Sequence, residues 1–242
     1  MTSTPQAMSS PQLALGVALT TQQQLSGFRF EAAPPLFKAL DQLLKPSAAA
    51  SFYVFGQQGT GKSHLLQGVV VEAQRLGMEA IYISGAELVL IPPEQAKDCL
   101  MGLESVDVLC IDDLDKLIVD AHWSDAWFHL YNKLMQHGGS LLIAAQTNPR
   151  AVICPLDDLR SRLQMANVFQ LSPLGEEARG QVLKTRAKQK GLQFNDELVA
   201  YILSRSQRDL VNLLEVLDKV DTASWHEKRR MTIPFVKQVM GW

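Results

Sequence analysis

The sequence predicts an α/β fold, a mostly parallel sheet with flanking helices followed by a small all-helical lid, and three observations carry that expectation. Short apolar runs alternate with helical segments, the strand signals stop near residue 175, and the charge balance reverses at the same place. Apolar runs of strand length divided by helices are what a parallel sheet covered on both faces requires. Residues 176 to 242 hold 12 Lys+Arg and 9 Asp+Glu, a net +3, which leaves 11 and 16, a net −5, for residues 1 to 175. The expected domains are a tail over 1–27, an α/β domain over 28–174 and a helical lid domain over 175–242.

Residues 1 to 27 are rich in Ser, Thr, Gln, Pro and Ala and carry no charge; so few large apolar side chains predict a flexible tail. "SFYVF" (51–55) is the first strand, and a helix starts at about Lys62. "AIYIS" (80–84), "DVLCID" (107–112), "SLLIAAQ" (140–146) and "VFQL" (168–171) are the further strands. Between them helices are expected near 85–101, through "DAWFHLYNKLMQH", and over "LDDLRSRL". Three helical segments, 176–190, 195–205 and 208–226, then make the lid.

Composition excludes several classes. With 242 residues and 47% hydrophobic side chains, the chain can bury a substantial core. A net charge of −2 argues against affinity that rests on neutralising a phosphate backbone, so no direct sequence-specific DNA binding is expected. Cys99, Cys110 and Cys154 are odd in number and contain no Cys-x-x-Cys pair, which suggests neither a disulfide framework nor a zinc site. The first charge is Arg29 and no apolar run approaches a membrane span. A soluble, cytoplasmic protein is expected.

The most informative stretch is "FYVFGQQGTGKSHLLQGVV" (Phe52 to Val70), where three glycines interrupt a strand just before a helix. Gly56, four residues, then Gly61, Lys62 and Ser63 match G-x-x-x-x-G-K-[ST] between a strand and a helix, as that motif demands. Glycines let Gly56, Gln57, Gln58, Gly59, Thr60 and Gly61 curl with their amides inward. Together with the helix N-terminus at Lys62, Ser63 and His64 they form a nest for nucleotide phosphates. Lys62 is expected on the terminal phosphates and Ser63 on a magnesium ion. The plainer alternative, a glycine-rich turn with an incidental Lys-Ser, leaves the spacing unexplained.

A phosphate loop needs acidic partners, and "VDVLCIDDL" ends a strand with Asp112 and Asp113 side by side. Successive side chains at a strand end point opposite ways, so the two carboxylates have separate jobs. Asp112 is assigned to the magnesium shell and Asp113 to polarising an attacking water; an acidic helix cap is the alternative, and Asp115 is read as a plain cap. At the end of the next strand Gln146 and Asn148 are candidates for contact with the terminal phosphate. "LDDLRSRLQ" offers Arg160 and Arg162 as an arginine presented to a neighbouring subunit's nucleotide. Two residues apart on a helix, they cannot face one partner together, and spacing does not choose between them or exclude a solvated pair with Asp157 or Asp158.

Taken together, "GQQGTGKSHLL", "VDVLCIDDLDKL", "LRSRL" and "RRMTIPFVKQVM" resemble the AAA+ ATPases of the DnaA branch over about residues 25 to 240. The sequence ends at Trp242, directly after the lid, with no helix-turn-helix following. It is therefore most similar to the shorter DnaA-homologous regulators of the Hda type. The resemblance implies a P-loop AAA+ domain binding ADP or ATP with Mg2+, slow intrinsic hydrolysis, and a negative regulator of replication initiation that stimulates DnaA to hydrolyse its ATP. It also selects Arg162 as the arginine offered in trans. "QLALGV" is similar to the peptide with which such proteins dock on the sliding clamp. Gln12 would hydrogen-bond a pocket rim while Leu13, Leu15 and Val17 alternate into apolar pockets; Gly16 departs from other versions. The lid arginine of the family falls at Val211, leaving Arg208, one turn earlier, as its substitute, and Gln146 stands where relatives carry an acid. An autonomous ATPase such as a helicase loader is the alternative function, and self-assembly through the Arg162 face stays open.

Overall fold

The computed structural model describes residues 34–45, 49–206, 210–227 and 231–242. Five strands, β1 (Ser51–Phe55), β2 (Ala80–Ser84), β3 (Val108–Asp112), β4 (Ser140–Ala145) and β5 (Asn167–Gln170), pair in parallel in the order β2-β3-β4-β1-β5. The expected strands are all present, displaced by at most a residue at their ends. Tyr53 lies between Ile143 on one side and Val168 on the other, which sets the register of β1.

Alternation along the strands divides the core. Tyr53, Ile83, Leu109, Ile111, Leu141 and Ile143 pack with Trp123, Trp127 and Leu130 of α6 (Ala121–Gln136) and with Leu159 and Leu163 of α7 (Asp157–Met165). Phe52, Val54, Tyr82, Cys110, Leu142 and Ala144 pack on the opposite face with α1 (Pro34–Leu43) and α2 (Lys62–Arg75). Burial on both faces is why these strands are continuous apolar runs in the sequence. β5 sits at the sheet edge and is largely exposed.

Two expectations change. The helix expected near 85–101 is broken into α3 (Gly85–Leu88), a 3-10 turn over Pro93–Gln95 and α4 (Ala96–Cys99). Pro92 and Pro93 have no backbone N–H, so no helical ladder passes through them. The lid has four described helices where three were expected: α8 (Glu176–Gln189), α9 (Asp196–Arg205), α10 (Leu210–Glu227) and α11 (Ile233–Met240). Asn195 caps α9 by accepting from Leu198 N at 2.9 Å, and Thr232 caps α11 by accepting from Phe235 N. Leu183, Ile202, Leu213, Leu217, Phe235 and Val236 give these helices a core of their own. Leu174, just before α8, packs against both the second sheet core and the lid core, so the two are joined at that residue.

The tail over 1–27, including Gln12, Leu13, Leu15 and Val17, lies outside the described residues, as does Arg208. Among the described residues no helix is long and apolar enough to cross a membrane.

Candidate nucleotide site

The loop between β1 and α2 is built around absent side chains. Gly56 N donates to Ala145 O at 3.2 Å, and a Cβ on Gly56 would stand 2.3 Å from Leu171 O, closer than any side chain permits. Gly59 and Gly61 adopt φ of 79° and 89°, which an L side chain rarely tolerates. Gly61 is the N-cap of the 14-residue α2, so the unsatisfied amides of that helix's first turn open towards the loop. Thr60 braces the turn, its Oγ1 donating to Gln57 O at 2.9 Å.

Lys62 folds back over this loop: its Nζ donates to Gly56 O at 2.7 Å and to Gln57 O at 2.9 Å, and the residue is 7% exposed. Burial lowers its pKa, while the carboxylates of Asp112, Asp113 and Asp115 oppose that shift. An anion in the loop would find this ammonium within the same few atoms.

Asp112 closes β3 at 4% exposure. Its Oδ2 accepts from the Tyr82 hydroxyl at 3.1 Å and its Oδ1 from Asp113 N at 3.0 Å, and the Ser63 side chain is hydrogen-bonded to it. Burial raises the Asp112 pKa; the Ser63 bond pulls it down, the neighbouring Asp113 charge pushes it up, and Tyr82 lowers it again. Ser63 and Asp112 therefore stand together, a hydroxyl and a carboxylate of the kind that hold Mg2+ along with phosphates. Asp113 is held separately: its backbone is left-handed, φ 52°, and its Oδ2 pairs with Lys116 Nζ at 2.7 Å.

Asp115 is not the plain helix cap expected. Its Oδ2 accepts from Gln146 N at 2.9 Å and from Thr147 N and Thr147 Oγ1 at 3.3 Å, all beyond the end of β4. The helix it sits on, α5 (Leu114–Leu117), begins at Asp113 with no side-chain cap bond.

These groups line a cavity of about 280 Å³. Gln58, Gly59, Gly61, Lys62, Ser63 and His64 form its floor, Asp112, Asp113, Lys116 and Gln146 one wall, and Leu210 and Leu214 of α10 the other. Arg186 of α8 also reaches the floor, donating from Nη2 to the His64 ring. Burial, then the Arg186 charge, lower the His64 pKa to about 3, so this imidazole is neutral. Asn148 takes no part; its Oδ1 accepts from Arg150 N at 2.9 Å in a turn. On α7, Arg160 pairs with Asp157 at 2.6 Å, whereas Arg162 is exposed and has no ion pair among the described residues. The sequence reading missed Tyr82, Arg186, Leu210, Leu214 and Lys116. Only Lys116 left a local signal, three residues after Asp113 on one helix face.

Comparison with known proteins bears on this geometry. The bacterial DnaA ATPase domain matches residues 38–170, and the Hda lid domain matches residues 176–240. Domain III of the replication initiation protein DnaA from Thermotoga maritima superposes with a TM-score of 0.77 at 20% identity, covering 92% of this chain and 97% of that one. AMPPCP-bound DnaA from Aquifex aeolicus gives 0.70 at 21% identity, over 86% of this chain and 68% of that one. The Thermotoga maritima RuvB branch migration motor gives 0.63 at 20% identity over the same shares. At these identities the structures speak for the fold, and the family assignment rests on the sequence matches. The chain belongs to the bacterial DnaA ATPase domain family and, with its Hda lid, is an Hda-like, DnaA-homologous AAA+ protein.

Proposed function

We propose that this chain is a nucleotide-binding negative regulator of replication initiation, which holds ADP or ATP with Mg2+ and, together with the DNA-loaded sliding clamp, stimulates DnaA to hydrolyse its ATP. The observation that carries the reading is a phosphate cradle assembled in the same chain as an exposed Arg162 that has no ion pair among the described residues. The DnaA and Hda matches, and a relative described with bound AMPPCP, support it.

The chain's own groups divide the work. The amides from Gly56 to Gly61 and the start of α2 bind phosphate oxygens, and Lys62 gives up its carbonyl partners for them. Ser63 and Asp112 would hold magnesium, which when bound neutralises phosphate charge. Asp113 is the candidate for orienting water, and Gln146, on the same wall of the cavity, for contact with the terminal phosphate. Leu210 and Leu214 exclude solvent on the lid side. Arg162 acts elsewhere, on the nucleotide of a DnaA molecule docked against α7, where a guanidinium of this kind is worth on the order of 10³ to 10⁵ in rate. Residues Gln12, Leu13, Leu15 and Val17 engage the clamp, a reading that rests on the sequence.

The test mixes the purified chain with loaded clamp and ATP-charged DnaA and follows ADP release. Arg162→Ala should keep nucleotide binding and abolish stimulation; unchanged stimulation removes Arg162 from the mechanism. Turnover of several per second by the chain alone, within the usual enzyme range, would replace this reading with that of an autonomous ATPase such as a helicase loader.

A further inference from the structure

Asp115 belongs to a hydrogen-bonded cluster that joins three strands lying far apart in sequence. It follows β3 by three residues, and its Oδ2 collects two backbone amides and one hydroxyl from Gln146 and Thr147, just past β4. Thr147 is gripped from the opposite side by β1, whose Tyr53 hydroxyl donates to the Thr147 carbonyl at 3.1 Å. β1 runs directly into the phosphate loop. The sheet ladder ends at the Phe55–Ala145 pair, so nothing in the sheet itself orders residue 146. Hydrogen bonds to a carboxylate are roughly twice as strong as neutral ones, and three of them on one oxygen supply the missing order. The other oxygen, Oδ1, is buried with no hydrogen-bond partner among the described residues. Capping α5 does not account for so costly a group, since it binds none of that helix's first amides.

We propose that Asp115 is a positioning residue that sets Gln146 against the terminal phosphate of a bound nucleoside triphosphate, and so lets the site tell tri- from diphosphate. This deepens the nucleotide-binding reading and rests on it. Among the described residues, Gln146 is the one wall residue of the cavity whose backbone Asp115 holds, so the effect travels through one amide and one side chain.

The experiment measures Kd for AMPPCP and for ADP, each with Mg2+, on the full chain and its variants. Asp115→Ala should weaken AMPPCP about tenfold more than ADP, the loss expected for one misplaced hydrogen bond. Asp115→Asn, whose amide oxygen still accepts from the backbone N–H groups, should recover most of the difference. Gln146→Ala should reproduce the selective loss, and carries the test if Asp115→Ala does not fold. Equal losses for both nucleotides, or none, overturn the proposal while leaving nucleotide binding intact. A wild-type chain that binds neither nucleotide overturns both readings.

Discussion

The two walls of the cavity are built differently. The sheet wall is polar and self-supporting: Lys62, Asp112, Asp113 and Gln146 are each held by hydrogen bonds or an ion pair within the α/β core. The lid wall is apolar, made of Leu210 and Leu214, with the Arg186–His64 contact alongside. Most polar groups of the cavity therefore belong to the sheet, and the lid contributes cover and a guanidinium whose hold on the floor passes through a neutral imidazole. Variants on the first wall should change ligand chemistry; variants on the second should change closure.

The most damaging way to break the contrast is Gly56→Ala. The new methyl meets the backbone carbonyl of Leu171, which cannot swing aside as a side chain would. A loss of about 3 kcal/mol or more in denaturant unfolding is expected; a change under 0.5 kcal/mol would mean the sheet wall is far more yielding than described. Next, Lys62→Ala should erase the stabilisation that nucleotide confers, about 2.7 kcal/mol when ligand is at 100 times Kd. A thermal shift equal to wild type would show that Lys62 contributes nothing to the phosphates.

On the lid side, the effect of His64→Gln depends on pH. The His64 pKa falls from 6.5 to about 3 on folding, so the unfolded chain binds more protons between those values and stability is lost as pH falls through that window. Gln does not titrate yet still accepts from Arg186, so the variant should regain about 1.4 kcal/mol relative to wild type at pH 5.5. Parallel stability curves for the two proteins would refute a buried neutral imidazole. The smallest effect is Asp112→Asn. The Asp112 pKa is raised in the fold, so the folded state binds the extra proton and stability falls as pH rises above about 4. Removing the charge should stabilise the free chain at pH 7 and weaken Mg2+-dependent nucleotide binding; a destabilised variant would mean Tyr82 and Ser63 more than compensate the burial.

Much of the sheet was legible because parallel strands buried on both faces leave uninterrupted apolar runs, and the G-x-x-x-x-G-K-[ST] spacing is local by nature. α1 was legible too and was missed, although Leu36, Leu40 and Leu43 recur at helical spacing after Pro34. α11 likewise carries its own start signal in Thr232 and a proline in the first turn, and Gly241 ends it in the left-handed conformation. Asp115 was a different matter. Its partners lie 31 and 32 residues away, and only the pairing of β3 with β4 brings them together; no local pattern separates it from an acidic cap. The lid leucines are equally hidden, since a leucine facing a ligand and one facing a core look alike in a helical stripe.

Leu171 has a mechanical consequence. Its N donates to Phe55 O at 2.7 Å while its carbonyl rests over Gly56, and three residues later Leu174 already packs on the helices beyond the sheet. The chain leaving the sheet is thus pinned on the anion cradle before it crosses over. A displacement of α8 to α11 that moves residue 171 therefore shifts the Phe55–Gly56 segment with it, and so the start of the glycine loop.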